Sequence, residues 1–334
     1  MTCRDARSAV EAARGRAAGR GGRINAMHTA LPPDLAVFER GWLSSNNILL
    51  HGHDGEPATL IDSGHVSHAA QTLALVRAAL RPDQALARVV NTHLHSDHCG
   101  GNAALVRAFG AKVVIPPGDA DAVAAWDEDR LTYRLTQQRI ERFGFDALLQ
   151  PSDALAVGAH TWQAHAAPGH DPHSLILFDP ADGVLVSADA LWENGFGIVF
   201  PELDGVDAFD AVAASLDLIE QLDPRAVIPG HGAPFTDVAG ALQRARSRLA
   251  RFRAEPASHA RHGIKALAKY HLLEVGSEPL DALRGWFETT PLVRQVWQRL
   301  GRPAASPAGW CERLLAELTA ANVVQVRNGV VHND

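Results

Sequence analysis

A chain of 334 residues, 46% of them hydrophobic, is long enough for one large core with a smaller appendage, or for two domains. Its formal net charge of -7 argues against a globally basic nucleic-acid binder, and no apolar run approaches the roughly 18 residues of a membrane-crossing helix, so a soluble protein is expected. Cys3, Cys99 and Cys311 lie far apart without a CxxC pair, which argues against a disulfide framework or thiolate zinc knuckle and fits a reducing cytoplasm.

Residues 1–26 carry six arginines against Asp5 and Glu11, with much Ala and Gly and no signal-peptide-like segment. They read as a disordered leader, a transit peptide being the weaker alternative, and Met27 is a candidate start. From Leu35 to about Phe235, β-type runs alternate with helical ones. Strands are expected at Ala36–Glu39, Asn47–His51, Thr59–Asp62, Arg88–Asn91, Lys112–Ile115, Ala154–Val157, Trp162–Ala166, Ser174–Phe178, Val184–Ser187 and Ala226–Pro229. Helices are expected at Ser67–Leu80, Gly101–Phe109, Asp119–Phe143 (broken) and Val206–Leu222, and Pro180-Ala181-Asp182-Gly183 supplies a hairpin turn. So many short strands imply two sheets with helices outside, an α+β sandwich of helix, sheet, sheet and helix over residues 27–255.

An Arg-rich helix ends near Glu255, with Arg244, Arg248 and Arg251 on one face and no acid between Ala241 and Ala254. Such a run is either a solvated face, paired with acids elsewhere, or a seat for an anionic substrate. Residues 256–334 then show helical spacing around Ile264, Leu267 and Leu272, around Leu283 and Phe287, around Val293 and Val296, and around Leu314 and Leu318. Thr290-Pro291 reads as a cap followed by proline at the first helical position, and Asn328-Gly329 between β-branched runs as a type I′ hairpin. Helices closed by a hairpin suggest a small winged-helix-like domain. Its Trp286, Trp297 and Trp310 bring more apolar surface than such a tail buries alone, so it should rest on the preceding domain or form a homodimer.

The chemistry concentrates in Asn91-Thr92-His93-Leu94-His95-Ser96-Asp97-His98-Cys99-Gly100-Gly101, right after a predicted strand. Three imidazoles and a carboxylate within six residues are costly to bury for packing alone, and a metal removes that cost. His93 and His95 are alternate residues of an extended stretch and can reach one cation, whereas Asp97 and His98, past the bend, can face a second. Gly100 and Gly101 are read as permitting a tight turn into the next helix. Three remote polar residues follow predicted strands: His170 in Pro168-Gly169-His170, Asp189 in Ser187-Ala188-Asp189, and His231 in Pro229-Gly230-His231-Gly232.

With these in order, and with Asp62 in Leu60-Ile61-Asp62-Ser63-Gly64, residues 35 to about 235 resemble the metallo-β-lactamase superfamily, its glyoxalase-II-like and lactonase-like hydrolases in particular. The resemblance implies a four-layer αββα sandwich and two divalent cations, read as zinc with iron or manganese as the other candidates. It implies His93, His95 and His170 as ligands of the first metal, Asp97, His98 and His231 of the second, Asp189 as a bridge and Asp62 as a residue orienting the ligand loop. A metal-bridging hydroxide would attack a carbonyl or phosphorus, with Asp97 as the catalytic residue that orients the nucleophile or moves its proton. His173 either supports His170 or holds the loop, and Trp192, Glu193, Asn194 and Phe196 either line the substrate pocket or pack as an ordinary loop. Cys99 is read as a small buried residue, and His51, His53, His65, His68, His160 and His165 as structural or surface residues.

The expected reaction is hydrolysis of a small thioester or lactone. A nuclease or phosphodiesterase is the second reading, weakened by the nine Lys/Arg against eight Asp/Glu from Glu255 to Asp334. A mononuclear iron sulfur dioxygenase would need only one metal, and a pseudo-enzyme none.

Overall fold

The structure, a computed structural model, describes residues 31–333. The leader at residues 1–26 and Met27 lie outside the described residues.

The first sheet runs in the order β1 (Leu35–Phe38), β2 (Asn47–Leu50), β3 (Ala58–Ile61), β4 (Leu86–Val90), β5 (Lys112–Ile115) and β6 (Ala147–Leu148), antiparallel up to β3 and parallel beyond it. The second comprises β7 (Ala154–Val157), β8 (His160–Ala166), β9 (Leu175–Asp179), β10 (Val184–Ala188) and β11 (Ala226–Pro229), each paired with the next. Alternation sets the layers. Ile48 and Leu50 of β2 join Ile61, Trp162, Leu177 and Val186 between the sheets, while Leu49 turns outward to Val76 and Leu105. Those two residues belong to α1 (Ala69–Ala79) and to the helix Asn102–Phe109, called α3 because the single turn α2 (Ser96–Cys99) precedes it. On the opposite face, Ile176, Phe178 and Leu185 meet Val212, Leu216 and Leu249. The result is the expected αββα sandwich.

The broken helix predicted over Asp119–Phe143 is mostly irregular: α4 (Ala120–Ala125) and α5 (Tyr133–Thr136) are all that remains. Trp126 takes a left-handed conformation at φ 54°, and the Asp127 carboxylate accepts the backbone N–H groups of Asp129 and Arg130, so local side-chain bonding replaces the helical ladder. Tyr133 then folds inward and donates to the Leu94 carbonyl at 2.7 Å. Beyond it come α6 (Phe200–Asp204), α7 (Phe209–Leu222) and the Arg-rich α8 (Val238–Ala254).

The C-terminal region comprises α9 (Pro256–Val275), α10 (Leu280–Thr289), α11 (Pro291–Arg299) and α12 (Pro307–Ala320), with a small sheet of β12 (Ser277–Pro279), β14 (Val330–His332) and β13 (Gln325–Arg327) in that order. The hairpin is as expected, with Asn328 and Gly329 both at positive φ, 52° and 74°. Pro291 opens α11 as expected, but the Thr290 side chain makes no cap, since its hydroxyl donates to the Trp286 carbonyl at 2.6 Å. The apolar core of this region includes Leu203 of α6, with Leu135, Ile198 and Phe200 packed against it, so these helices rest on the sandwich.

The N-terminal strand is tied to the second sheet by an ionic clasp. His160 Nε2 lies 2.8 Å from Asp34 Oδ1, and Nδ1 lies 2.8 Å from Asp179 Oδ2 and 3.1 Å from Asp182 Oδ2. Burial opposes the charged imidazole, but bonding to Asp179 and Asp34 outweighs it and raises the His160 pKa. A raised folded pKa contributes stability that is fully present below the unfolded value of about 6.5 and is lost as pH rises through the folded value. The melting temperature of His160→Gln should therefore lie well below that of the wild type at pH 5.5, with the gap narrowing toward pH 9. A gap that stays constant or widens would rule the clasp out.

Candidate metal centre

The parallel strands end on one side, and there the loops converge. Asp62 follows β3, the His-rich loop follows β4, Asp189 directly follows β10, and His231 lies two residues past β11. His93, His95, Asp97, His98, His170, Asp189 and His231 are all buried there. His95 Nδ1 lies 3.1 Å from His93 Nε2 and 2.8 Å from His170 Nε2. Asp97 Oδ2 lies 3.0 Å from His231 Nε2 and 3.8 Å from His98 Nε2. Asp189 sits between the groups, Oδ2 3.3 Å from His170 Nε2 and Oδ1 3.5 Å from His98 Nε2 and 3.9 Å from His231 Nε2. Ligand atoms of His93, His95 and His170, of His93, His98 and Asp189, and of Asp97, His98 and His231 each lie within 4.8 Å of one another.

These donors fit divalent cations. His170 Nδ1 donates to the Ile198 carbonyl at 2.6 Å, and His98 Nδ1 to Asp62 Oδ2 at 2.7 Å, which leaves the Nε2 lone pair of each ring facing the cluster. His98 Nε2 is buried without a hydrogen-bond partner, as an atom awaiting a Lewis acid would be. Burial drives the His95 pKa down to about 3 and lowers those of His93 and His170, so these imidazoles are neutral. Burial works against ionised Asp97, but His98 and His231 bring it down to about 2, and His231, His98 and His170 likewise hold Asp189 low. Burial also opposes charge on His98, yet Asp62, Asp189 and Asp97 raise its pKa well above the usual value. Without metal, a proton on His98 supplies positive charge that the carboxylates require.

The supports are built from the backbone outward. Asp62, at φ 57°, accepts from Thr92 N at 2.9 Å and from Thr92 Oγ1 at 2.8 Å, fixing the loop that carries the imidazoles. Ala188, at φ 46° beside a register shift between β10 and β11, turns Asp189 into the cluster. The glycine expectation needs correction. Gly100 and Gly101 have ordinary helical φ values of -63° and -85°, and what demands glycine is close packing: a Cβ would lie 2.5 Å from Val66 N at Gly100 and 2.4 Å from the Ser63 carbonyl at Gly101.

His173 does not support His170. Asp171 Oδ1 accepts the His173 N–H at 2.7 Å, and this turn sends the half-exposed ring over Gly118, with Nε2 3.9 Å from Asp119 Oδ1. Asp171, unnoticed in the sequence, is the carboxylate near His95, at 3.7 Å from Nε2. Cys99 is buried as expected, and burial pushes its thiol pKa up.

A cavity of about 330 Å³ opens on the cluster. Trp192 and Phe196 line it, and Trp192 Nε1 donates to Asp189 Oδ1 at 3.1 Å. Glu193 and Asn194 do not: the Glu193 carbonyl accepts from Arg244 Nε at 2.7 Å, and Asn194 points to solvent. Sequence reasoning missed Trp42, which stacks on His231 at 5.4 Å, and Tyr270, whose hydroxyl lies 3.1 Å from Ser96 Oγ. His262, Ala266, Lys269, Tyr270 and Leu273 line the cavity from α9 with Leu267 at their border, and their helical spacing opposite Ile264 and Leu272 was a readable signal.

The metallo-beta-lactamase superfamily matches residues 40–231, the span that carries every residue of this cluster. The chain belongs to that superfamily. A hydroxyacylglutathione hydrolase of Anaeromyxobacter dehalogenans is 31% identical over 252 residues, 71% of this chain and 86% of that relative. The chain spans only about half of some other relatives of that name, 56% of one from Maricaulis maris at 26% identity. Among solved structures, a beta-lactamase domain protein from Burkholderia ambifaria covers 90% of this chain and 92% of its own, with a TM-score of 0.54 at 21% identity, a likeness of fold alone. TTHA1623, solved in a di-iron-bound form, covers 63% of this chain and 98% of its own, with a TM-score of 0.50 at 27% identity.

At Gly230 an added Cβ would lie 2.1 Å from Asp189 Oδ1 and 3.0 Å from His98 Cε1. Gly230→Ala should therefore displace Asp189 and lower the metal content of the purified protein, with the melting temperature in excess metal falling less than that content. Retention of the full wild-type metal content would show that Asp189 is not held where it bears on the metals.

Proposed function

We propose that the protein hydrolyses a small-molecule ester-type bond, a thioester or lactone, with two divalent cations, zinc in the first place. One observation carries the reading: buried His and Asp side chains converge as three groups linked through His93 and His98, with Asp189 in the middle one, on the wall of a cavity large enough for a small organic substrate. His93, His95 and His170 would hold one cation, Asp97, His98 and His231 the other, and Asp189 would touch both. Bound there, the cations would supply an acidified water and a Lewis acid for the substrate carbonyl. Asp97 lines the cavity with its Oδ2 bonded to His231, a position from which it can orient a nucleophile and take up its proton. Asp62 holds His98, and Trp42, Trp192 and Phe200 exclude bulk water around the carbonyl.

The relative named hydroxyacylglutathione hydrolase favours a thioester, and the di-iron form of TTHA1623 favours a two-metal count while keeping iron beside zinc as a candidate. A nuclease is disfavoured because three arginines of α8 are committed to acids: Arg244 to Asp237, Arg246 to Asp217 and Glu220, and Arg253 to Asp210. We take residues 27–255 as the catalytic unit and 256–334 as a winged-helix-like module that shapes substrate access through α9. No helix among the described residues is long and apolar enough to cross a membrane, and the free buried thiols of Cys99 and Cys311 favour a cytoplasmic location.

Elemental analysis should find two divalent cations per chain, and a panel of thioesters, lactones and phosphodiesters should reveal turnover of the first two classes that a chelator removes. Asp189→Ala should lower that turnover by roughly 100-fold or more, since it removes the carboxylate between the sites. One iron per chain with no second metal after reconstitution would instead favour the dioxygenase.

A further inference from the structure

One arginine of α8 behaves unlike Arg244, Arg246 and Arg253. Arg248 turns into the cavity, its guanidinium 5.5 Å from the centroid of Phe196 and 5.4 Å from that of Phe252. Nη2 lies 2.6 Å from His262 Nε2, and Nε is buried with no hydrogen-bond partner. Among the described residues no carboxylate pairs with it, whereas Arg244, Arg246 and Arg253 on the same helix each have one. His262 cannot compensate: burial, and then Arg248 itself, push its pKa down to about 4, so it is a neutral acceptor that aims the guanidinium without cancelling its charge. The geometry is protected on its other side by Gly195, at φ 124°, where a Cβ would lie 2.6 Å from Nη1.

A guanidinium withdrawn from water beside two aromatic rings, without a counter-charge, is costly. Helix α8 pairs Arg244, Arg246 and Arg253 with protein acids and leaves Arg251 exposed to water, so Arg248 is its one arginine both withdrawn into the cavity and without an acid. The same cavity runs to His95, Asp97, His170, Asp189 and His231, and between the two ends its wall is Phe196, Ile198, Phe200, Leu267 and Leu273. The other cation on the wall, Lys269, donates from Nζ to the Val323 carbonyl at 2.6 Å.

The geometry points to a substrate that carries a carboxylate on an apolar arm, the carboxylate paired with Arg248 and the arm lying along the apolar wall toward the metal cluster. Planar guanidinium matches carboxylate in a two-bond fork, and a hydrocarbon spacer is what the intervening wall can accept. That the far end of this ligand is a cleavable ester rests on the hydrolase reading; the pairing with Arg248 does not. The carboxylate can belong to the acyl portion or to the leaving thiol, and the two sources are separable by experiment.

Binding is measured first, on the metal-loaded full chain, by calorimetry with heptanedioate against heptanoate, which differ by one carboxylate. The wild type should prefer heptanedioate, and Arg248→Met and Arg248→Gln should weaken it by roughly 10- to 100-fold more than they weaken heptanoate, the span expected for loss of a charged hydrogen-bonded pair. Arg248→Lys should fall between. Because the unliganded protein carries an uncompensated charge there, Arg248→Met should keep or raise the melting temperature, an effect that a purely structural arginine would not give. Equal weakening of both ligands, or wild-type heptanedioate binding by Arg248→Met, would overturn the proposal. If Arg248→Met fails to fold, the Arg248→Lys comparison still decides it, since a point charge without the fork should lose part of the dicarboxylate preference.

The second arm uses thioesters of matched length with the carboxylate on the acyl side, on the thiol side, or absent. An Arg248-dependent KM preference of the same order for either carboxylate-bearing set supports the proposal and names the source; no Arg248-dependent preference in either counts against it. Selective binding of heptanedioate with no thioester or lactone hydrolysed would sink the hydrolase reading while leaving the anion pairing intact.

Discussion

Five imidazoles and two carboxylates buried side by side cannot be stable through their own hydrogen bonds, and the rest of the catalytic sandwich is arranged around that constraint. Each buried charge carries a desolvation penalty of several kcal/mol, on the order expected for ions in protein interiors, unless opposite charge is close. Asp97 and Asp189 are held low, burial lowers the pKa of three imidazoles, and the carboxylates around His98 raise its pKa well above the usual value. Cations relieve the same imbalance more completely, because they also take up the lone pairs of His93, His95 and His170, which no proton can satisfy together.

Holding such a cluster requires rigid loops, and the rigidity comes from buried side-chain hydrogen bonds between the loops. Asn46 Nδ2 donates to the Pro229 carbonyl at 2.9 Å and to the Gly232 carbonyl at 2.7 Å, tying the loop before β2 to the loop that carries His231. Ser63 Oγ donates to Asn102 Oδ1 at 2.8 Å, and Asn102 Nδ2 to Asn91 Oδ1 at 2.7 Å, beneath the His-rich loop. Left-handed backbone at Asp62 and Ala188 is tolerated because these networks over-determine it, and both residues stand directly at the cluster.

Much of this was legible in the sequence because metal ligation needs particular side chains at particular spacings. The HxHxDH run and the three remote residues fall into one cluster, and strands such as Lys112–Ile115 and Ala226–Pro229 form where the β-type runs place them. What was not legible depends on contacts distant in sequence. His173 is next to a ligand loop in the chain, yet the Asp171 turn sends it away, and Glu193 and Asn194 follow Asp189 but are carried outside by the Arg244 bond to the Glu193 carbonyl. Trp42 and Tyr270 come to the cavity from opposite ends of the chain, which no local pattern encodes. The run of arginines on α8 was visible, but only packing separates the one that faces inward from those that meet acids.

The division of labour follows from where each wall of the cavity originates. The reactive end is made by loops at strand termini, fixed by the sandwich and by the charge requirement of the cluster, so it leaves little freedom for change. The other end is made by α8 and α9, helices whose own cores lie largely elsewhere: Ala241, Leu242 and Leu249 on the second sheet, and Ile264 and Leu272 in the C-terminal core. His262, Ala266 and Tyr270 on the cavity face of α9 belong to neither core, so they can change without disturbing it. Selectivity for the substrate arm is thus carried by residues mechanically separate from the metal cluster, and an arginine that would be a liability in a packed core is tolerable at the one place where a ligand can neutralise it.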